Sequence, residues 1–463
     1  MRSYSLAILV GIFALTSTTS AGEPKRDNLR NWLETQRSQL LTESKTTDKL
    51  AAIKEIEELW STPGACAQAL VGAMRDPDRE VRLAAARTFV KLGPLAADKI
   101  RSLLPFLDPR DPCGDDDELR FELLLAIQQM GSAPYGPFLE IEHDTIPILV
   151  GMLHHKSARI RAMAAQAIGA AGLYGREAVP DLIQTLDHPG DGSEESQLSV
   201  RAGVILAIGN VGASSAPAVP KLLEILRSSP RLQGLAIGAL AGIGTTHADV
   251  VPTLISLMKN SSVPGQRAFA AQNLGRIGSA AKDATPALLE VLKQKQAVVK
   301  DRAVFGLHFV VLQMQHREVQ RQALYALGSM RPAAQSAVPT LTEFAANRQI
   351  PTELRVAALK SLERFGPTAK AAVPDLVKML KDQDPPYDVV AVLVAIGKDA
   401  VPPLIEFIKN GEGISAKKAL WALARIGPDA ASAREAIAGL ITHPELGDTA
   451  KAVLAHLDKF RSK

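Results

Sequence analysis

Large rings are what this sequence has least of. Aromatic residues make up 4% of its 463 positions, with three Trp and five Tyr. A sandwich or barrel filled by big aromatic side chains is therefore excluded, and the interior must be built from Ala, Leu, Val and Ile. Cysteine is limited to Cys66 and Cys113, too few for a disulfide-stapled scaffold. The helix register puts these two at opposite ends of neighbouring helices, farther apart than a bridge spans, so both are expected as thiols. Charge is thin as well: the net +4 over the whole chain argues against a nucleic-acid binder.

Catalytic signatures are absent too. There is no nucleophile elbow, phosphate-cradling P-loop or dinucleotide fingerprint. Of the nine histidines, His143, His154 and His155 are near one another in the chain. They flank a helix on its two ends, so no shared metal site is expected from them. After the first residues, no segment reads as long and apolar enough to span a membrane.

What is present begins with a leader. Arg2 gives a positive start, Leu6 to Leu15 an apolar run, and Thr19-Ser20-Ala21 a small-residue cleavage site, so residues 1–21 are expected to be an export signal. The run is about half the roughly 20 residues that a spanning helix needs. The mature protein is thus expected outside the cytoplasm, periplasmic or secreted. Residues 22–62 then show two amphipathic helices, one marked by Leu29, Trp32, Leu33, Leu40 and Leu41, the other by Leu50, Ile53, Ile56, Leu59 and Trp60. That texture suits an end cap, polar outside and apolar toward the rest of the chain.

From residue 63 to 463 a two-part unit recurs. One part opens on Arg and closes eleven residues later on Gly, as at Arg82 and Gly93, Arg161 and Gly172, Arg201 and Gly212, Arg267 and Gly278, and Arg355 and Gly366. Arg120 and Gly131 follow suit, and Arg302 has the phase without the Gly. Gln233, Gln320, Pro386 and Ala416 fill the same slot without Arg. The positions three, seven and ten residues on are apolar and share one helical face. The second part starts with an apolar residue and Pro, as at Val179-Pro180, Val219-Pro220, Val373-Pro374 and Val401-Pro402; Pro suits the first turn of a helix. The step is roughly 28 to 42 residues, and about eleven to twelve such hairpins fit. No single hairpin has enough apolar surface to stand alone, so each must stack on the next. The pattern slips near 297–332. There Val298 to Gln315 and Arg317 to Met330 read as two successive inner helices with no Pro-marked helix between them. A closing cap is expected over 439–463, with Ala452, Leu454, Leu457 and Phe460 as its apolar set.

The Arg-x-x-Ala-Ala core at Arg161 and Arg267, the Gly-x-Ile-Gly stop at Gly275 to Gly278 and the Ala-Val-Pro-x-Leu start at Ala178 and Ala218 resemble HEAT repeats, closest to the short bilin-lyase type. The resemblance implies an all-α fold: a right-handed α-solenoid of the armadillo/HEAT class, with the second helix of each pair lining a concave side. It also implies a structural task for the Arg column, each Arg reaching an Asp or a backbone carbonyl in the adjoining turn. An iron-dependent hydroxylase on similar repeats holds its metal with His-Glu pairs, and this chain has no His-Glu dipeptide.

Two surfaces invite a functional reading. The loop from Asp108 to Glu118 gathers Asp111, Asp115, Asp116, Asp117 and Glu118. Its spacing is not that of an EF-hand, and its last acids suit the positive end of the following helix. The second surface is the exposed phase of the inner helices, five and nine residues after the Arg slot. In the C-terminal half it carries Gln272, Arg276, Tyr325, Lys360, Arg364, Trp421 and Arg425. Trp, Tyr and Arg dominate binding energetics at interfaces. The expectation is an exported, non-catalytic, monomeric scaffold that holds a protein or peptide in its groove along this stripe. It has no cofactor, metal or catalytic residue, and neither nucleic acid nor membrane as partner. The alternatives are a lyase-type or metal-dependent enzyme on the same repeats, and an architectural envelope component.

Overall fold

A computed structural model describes residues 45–58, 63–108, 111, 116–131, 138–294, 307–381, 389–410 and 413–459. The leader, the first capping helix, Leu59, Trp60, Cys113, Asp115, Arg302, Pro386 and Phe460 lie outside them, as does the side chain of Cys66. Among the described residues every regular element is a helix, α or 3-10. The chain divides into two compact units, 1–225 and 226–463.

The first unit contains α1 (Thr46–Glu58), α2 (Pro63–Ala73), α3 (Arg79–Leu92), α4 (Ile100–Leu103), α5 (Asp117–Gly131), α6 (Phe138–Met152), α7 (Ala158–Ala170), α8 (Val179–Asp187), α9 (Glu194–Val211) and the start of α10 (Val219–Ser228). Helices α1, α3, α5, α7 and α9 pack side by side in that order as an inner layer. Helices α2, α6 and α8 pack on α3, α7 and α9 as an outer layer. The second unit repeats the scheme. Its inner layer is α11 (Gln233–Ile243), α13 (Pro264–Ile277), α15 (Leu307–Ser329), α17 (Thr352–Phe365), α19 (Val389–Ile396), α21 (Gly413–Ile426) and α23 (Gly447–Asp458). Its outer layer is α12 (Val250–Asn260), α14 (Thr285–Lys293), α16 (Val338–Ala346), α18 (Val373–Met379), α20 (Val401–Asn410) and α22 (Arg434–Ala438). This is an α-solenoid of stacked hairpins.

The inner-to-outer turn is dictated by glycine. Gly212 closes α9 at φ 77°, ψ −135°, a region barred to residues with a Cβ. Its amide donates to the Ile208 carbonyl, and the chain then runs as a short 3-10 turn into Val219-Pro220. The same break explains a stretch that departs from the expectation of no later membrane-length segment. Glu194–Ser228 is long and apolar enough to span by composition, yet it is α9 and α10 broken at Gly212, with half of its apolar window buried. The core lies between the layers: Ala164, Ile168 and Ala171 are all buried.

In five of the hairpins the slot residue ties the inner helix to the outer helix before it, whereas Arg161 bonds to the His155, Lys156 and Asp191 carbonyls in loops and Arg120 to Asp117 and His155. Arg201 Nε donates to the Leu186 carbonyl at 3.2 Å, Arg267 Nε to Met258 at 2.9 Å and Arg355 Nε to Ala345 at 3.0 Å. These carbonyls sit in the last turns of α8, α12 and α16, where no intrahelical donor remains and a positive charge is favoured. Gln233 and Gln320 do the same with Nε2, to Leu226 at 2.9 Å and Leu292 at 3.2 Å. Arg82 binds the Asp76 and Pro77 carbonyls, at 2.9 and 3.0 Å. The Asp76 carboxylate itself takes Lys49 of α1, and α1 buries Ile53 and Ile56 as it packs on α3.

The irregular region differs from its sequence reading. Instead of two successive inner helices, the described part is one continuous helix, α15. Its C-terminal half packs as the inner helix, since Val319, Ala323 and Leu327 are buried and Gln320 holds the slot bond. Nothing in Leu307–Ser329 breaks a helix: it holds no Pro, and its one Gly, Gly328, comes at the end.

Candidate functional site: the exposed face of the inner helices

The inner helices bury one stripe and present another. The residue five places after the slot lies on the opposite side from positions three, seven and ten, so it has no layer to pack on. In the second unit, Gln272 and Arg276 of α13, Lys360 and Arg364 of α17, and Trp421 and Arg425 of α21 are all exposed, and Tyr325 of α15 is half-buried. Leu420, beside Trp421, is fully buried while Trp421 is 62% exposed, so one step round the helix separates core from surface.

Some of these side chains are held in place. Arg364 Nη1 donates to Ser329 Oγ at 3.0 Å, and Ser329 Oγ donates in turn to the Tyr325 carbonyl at 3.0 Å. This chain fastens α17 to the end of α15. The Arg364 carbonyl also accepts from Arg331. Arg276 Nη1 donates to Asn273 Oδ1 at 3.0 Å, and the buried Asn273 donates to the Phe269 carbonyl at 2.8 Å. The structure brings α13, α15 and α17 together as direct neighbours, whereas α19 separates α17 from α21. At the two equivalent phases α19 carries only Ala391 and Ala395, so the stripe falls into two clusters.

The second cluster borders a cleft. Trp421, Ala424 and Arg425 of α21 face Asp448, Thr449, Ala452, Val453 and His456 of α23 across a space of about 450 Å³. The sequence pattern does not reveal the α23 side of it, because it groups Ala452 with Leu454 and Leu457 as one apolar set. The helix instead buries Ala450, Val453 and Leu457, leaving Ala452 exposed and Leu454 half-buried. The i, i+3, i+7 spacing of Ala450, Val453 and Leu457 is the signal that finds this register. In the first unit, Leu206 of α9 occupies the exposed phase too, at 43% exposure.

The described acids at the end of the acidic loop, Asp116 and Glu118, are ion-paired. Asp116 accepts from Arg79 Nε at 2.9 Å and Nη2 at 3.0 Å, and Glu118 accepts from Arg79 Nη2 at 3.1 Å and pairs with Arg87. Asp116 also accepts from the Glu118 and Leu119 amides, capping α5. Burial pushes its carboxyl up in pKa, but Arg79 and these amides outweigh that and hold it below the usual carboxylate value. His155 is turned to Asp117, 3.4 Å away, and Arg120, so it is engaged within unit 1. Among the described residues no three His, Cys, Asp or Glu side chains gather as a metal site would require.

Comparison with known proteins agrees with the fold. Models of HEAT repeats match residues 145–172, 219–308 and 310–397. No curated protein matches the sequence. Importin beta crystallised in an ammonium sulfate condition is similar in fold, with a TM-score of 0.56 at 14% identity over 93% of this chain and 63% of that one. The karyopherin Kap121p bound to the extreme C-terminus of the protein phosphatase Cdc14p gives 0.50 at 13% identity, over 93% and 55%. This chain therefore spans less than two thirds of the length of either solenoid. The chain contains HEAT repeats, and its fold is that of an α-solenoid.

Proposed function

We propose that this protein is an exported, non-catalytic binding protein, and that the exposed face of its inner helices in residues 226–463 holds a segment of a protein partner. The observation that carries the proposal is Trp421, 62% exposed on the inner layer and bordering the α21–α23 cleft. A large ring left in water at the mouth of a concave space is the usual anchor of a protein interface. A protein of similar fold, Kap121p, was crystallised bound to the extreme C-terminus of another protein, which supports the choice of a peptide-like occupant. The finer kinship, to bilin-lyase-type repeats, and placement outside the cytoplasm both rest on sequence: the motifs at Arg161 and Ala218, and the leader-like residues 2–21.

The test is recovery of crosslinked partners from the native envelope with the intact chain, Trp421→Ala and Arg364→Glu, each first shown by circular dichroism to be folded. Loss of specific partners with both variants is expected. Equal recovery with all three proteins refutes the use of this face. N-terminal sequencing of the mature protein tests export, with Gly22 as the expected first residue.

A further inference from the structure

The two layers of the second unit differ in charge. The outer helices α12 to α22 carry five Lys and Arg against five Asp and Glu. The inner helices α11 to α23 carry eleven Lys and Arg against three Glu and two Asp, of which Asp448 lies 3.8 Å from Lys451 and Asp458 pairs with Arg434. Those glutamates are already engaged: Glu318 pairs with Arg321 at 2.5 Å, Glu353 with Arg317 at 3.5 Å, and Glu363 also has a partner. Arg267 and Arg355 serve the slot; Arg276, Lys360, Arg364, Lys417, Lys418 and Arg425 are the cations that give the face its sign, whether or not they also bond to neighbours.

Within this field α21 has an exposed to half-buried stripe that no helix covers among the described residues. Ile414, Lys417, Lys418, Trp421, Ala424 and Arg425 follow one another at three, four, seven, ten and eleven residues, the spacing of a single helical face. Ile414 is 73% exposed and Trp421 62%, and α21 has no acid at all. Beside it α19 presents Val390, Ala391, Val394 and Ala395, half-buried and uncharged. An apolar strip thus runs between basic groups, with the α21–α23 cleft at one end.

We infer that the occupant of this face is an acidic peptide segment bearing a large apolar side chain, with the apolar group seated against Trp421 in the cleft and the carboxylates on Lys417, Lys418 and the α17 cations. The inference rests on the proposed binding role and names the chemistry of the partner. Two features favour a peptide over a nucleic acid. The uncharged α19 surface interrupts the cations, so no continuous track of phosphate contacts forms. The exposed Ile414 and Trp421 match side chains of a protein segment, whose affinity at such sites comes from a few apolar anchors ringed by polar contacts. Complementary charge then sets partner choice and on-rate.

The experiment measures fluorescence anisotropy of the full chain with labelled ten-residue peptides: one of Glu with a central Phe, the same with Gln for Glu, with Lys for Glu, and with Ala for Phe. A 20-nucleotide poly-dT strand serves as a fifth probe. The Glu–Phe peptide is expected to bind roughly tenfold or more tighter than the Gln and Lys forms, and to weaken as salt rises. Lys417→Glu with Lys418→Glu removes the preference for Glu; Trp421→Ala removes the preference for Phe and leaves that for Glu. All these positions are exposed or half-buried, and unchanged circular dichroism confirms folding. Equal or tighter binding of the Gln or Lys peptide, no binding of any peptide, or tighter binding of poly-dT overturns the inference. The crosslinking result decides the binding role separately: partners lost with Trp421→Ala, together with no preference for Glu, would retain the face and discard its acidic occupant.

Discussion

Gly169 of α7 stands so close to Ala207 of α9 that a Cβ on it would lie 2.6 Å from the Ala207 Cα. The obstruction is backbone, which cannot swing aside as a side chain end can. Gly169→Ala is therefore expected to force two inner helices apart and cost roughly 1–3 kcal/mol, in the range of overpacked cores. Gly238, in the middle of α11, gives the contrast. A Cβ there meets only the ring of Phe269 at 3.8 Å, so Gly238→Ala is expected to stabilise by about 0.5–1 kcal/mol through helix propensity. Denaturant midpoints of the two variants should move in opposite directions. Movement in the same direction would mean that the inner layer is not packed at backbone contact.

That contact was legible in the sequence as an abundance of Ala and Gly at helical spacing, and so was the hairpin step. The slot, the closing glycine and the Val-Pro start each follow from one local requirement: a carbonyl lacking a donor, a positive φ, a first helical turn. Helix register on the end elements was harder to read. In α23 the apolar residues fit two faces, and only packing against α21 selects Ala450, Val453 and Leu457. The continuity of α15 was hidden because a repeat-based reading inserts a break that the residues do not demand. The gap in the stripe at Ala391 and Ala395 could be seen only once α19 was placed between α17 and α21. Likewise, the sequence shows Asp116 as one acid of a cluster, and only the fold sets Arg79 of the preceding inner helix, α3, on it.

The slot bonds predict a graded series. Arg267 serves two partners, the Met258 carbonyl and Gln294 Oε1, both at 2.9 Å. Arg267→Ala leaves the end of α12 without its donor and is expected to cost about 1–2 kcal/mol. Arg267→Gln should recover part of this, since Gln320 makes the equivalent bond to Leu292. Arg267→Lys should recover less, because a point charge on a flexible stem does not match the planar fork. Thermal midpoints in the order wild type, Gln, Lys, Ala are expected; Ala equal to wild type would reduce the column to spacing.

His155 gives a pH dependence. Its Nδ1 accepts from the Ser157 amide at 3.1 Å, while its Nε2 lies 3.1 Å from the Arg120 guanidinium and 3.4 Å from Asp117. Burial lowers its pKa most; Asp117 pulls upward, and Arg120, Lys156 and Arg161 push down. His316 is lowered as well, by burial and Arg267, against its bond to the Gln294 carbonyl. In both cases the unfolded chain binds a proton more readily than the folded one. Stability is therefore full above the ordinary histidine value of about 6.5 and falls as pH drops below it toward the folded pKa. His155→Gln should flatten part of that slope between about pH 7 and 5, read from denaturant midpoints. A slope unchanged in His155→Gln, or a wild type that gains stability on acidification, contradicts this arrangement.

Asp116 separates capping from pairing. Asp116→Asn keeps an oxygen for the Glu118 and Leu119 amides and loses the charge facing Arg79. Asp116→Ala loses both, and the missing cap alone is expected to cost about 1 kcal/mol. The carboxylate's lowered pKa means that its contribution is present above the unfolded Asp value and disappears as pH falls through the folded one. Near neutral pH the order of stability should be Asp, Asn, Ala, and in strong acid Asp should lose its advantage over Asn. Persistence of that advantage in strong acid would show that Arg79 is irrelevant to it.

Leu420 and Trp421 set the sharpest demand on the face proposed for binding. They are consecutive on α21, yet one is fully buried and the other 62% exposed. Leu420→Ala opens a cavity between layers and should cost about 2–5 kcal/mol. Trp421→Ala removes a larger side chain and should change stability by no more than about 0.5 kcal/mol, as at other exposed positions. A ring that contributes so little to folding leaves its apolar surface available to a partner, so the loss should appear in binding instead. If Trp421→Ala unfolds the chain as readily as Leu420→Ala, the ring belongs to the core and the binding face loses its anchor.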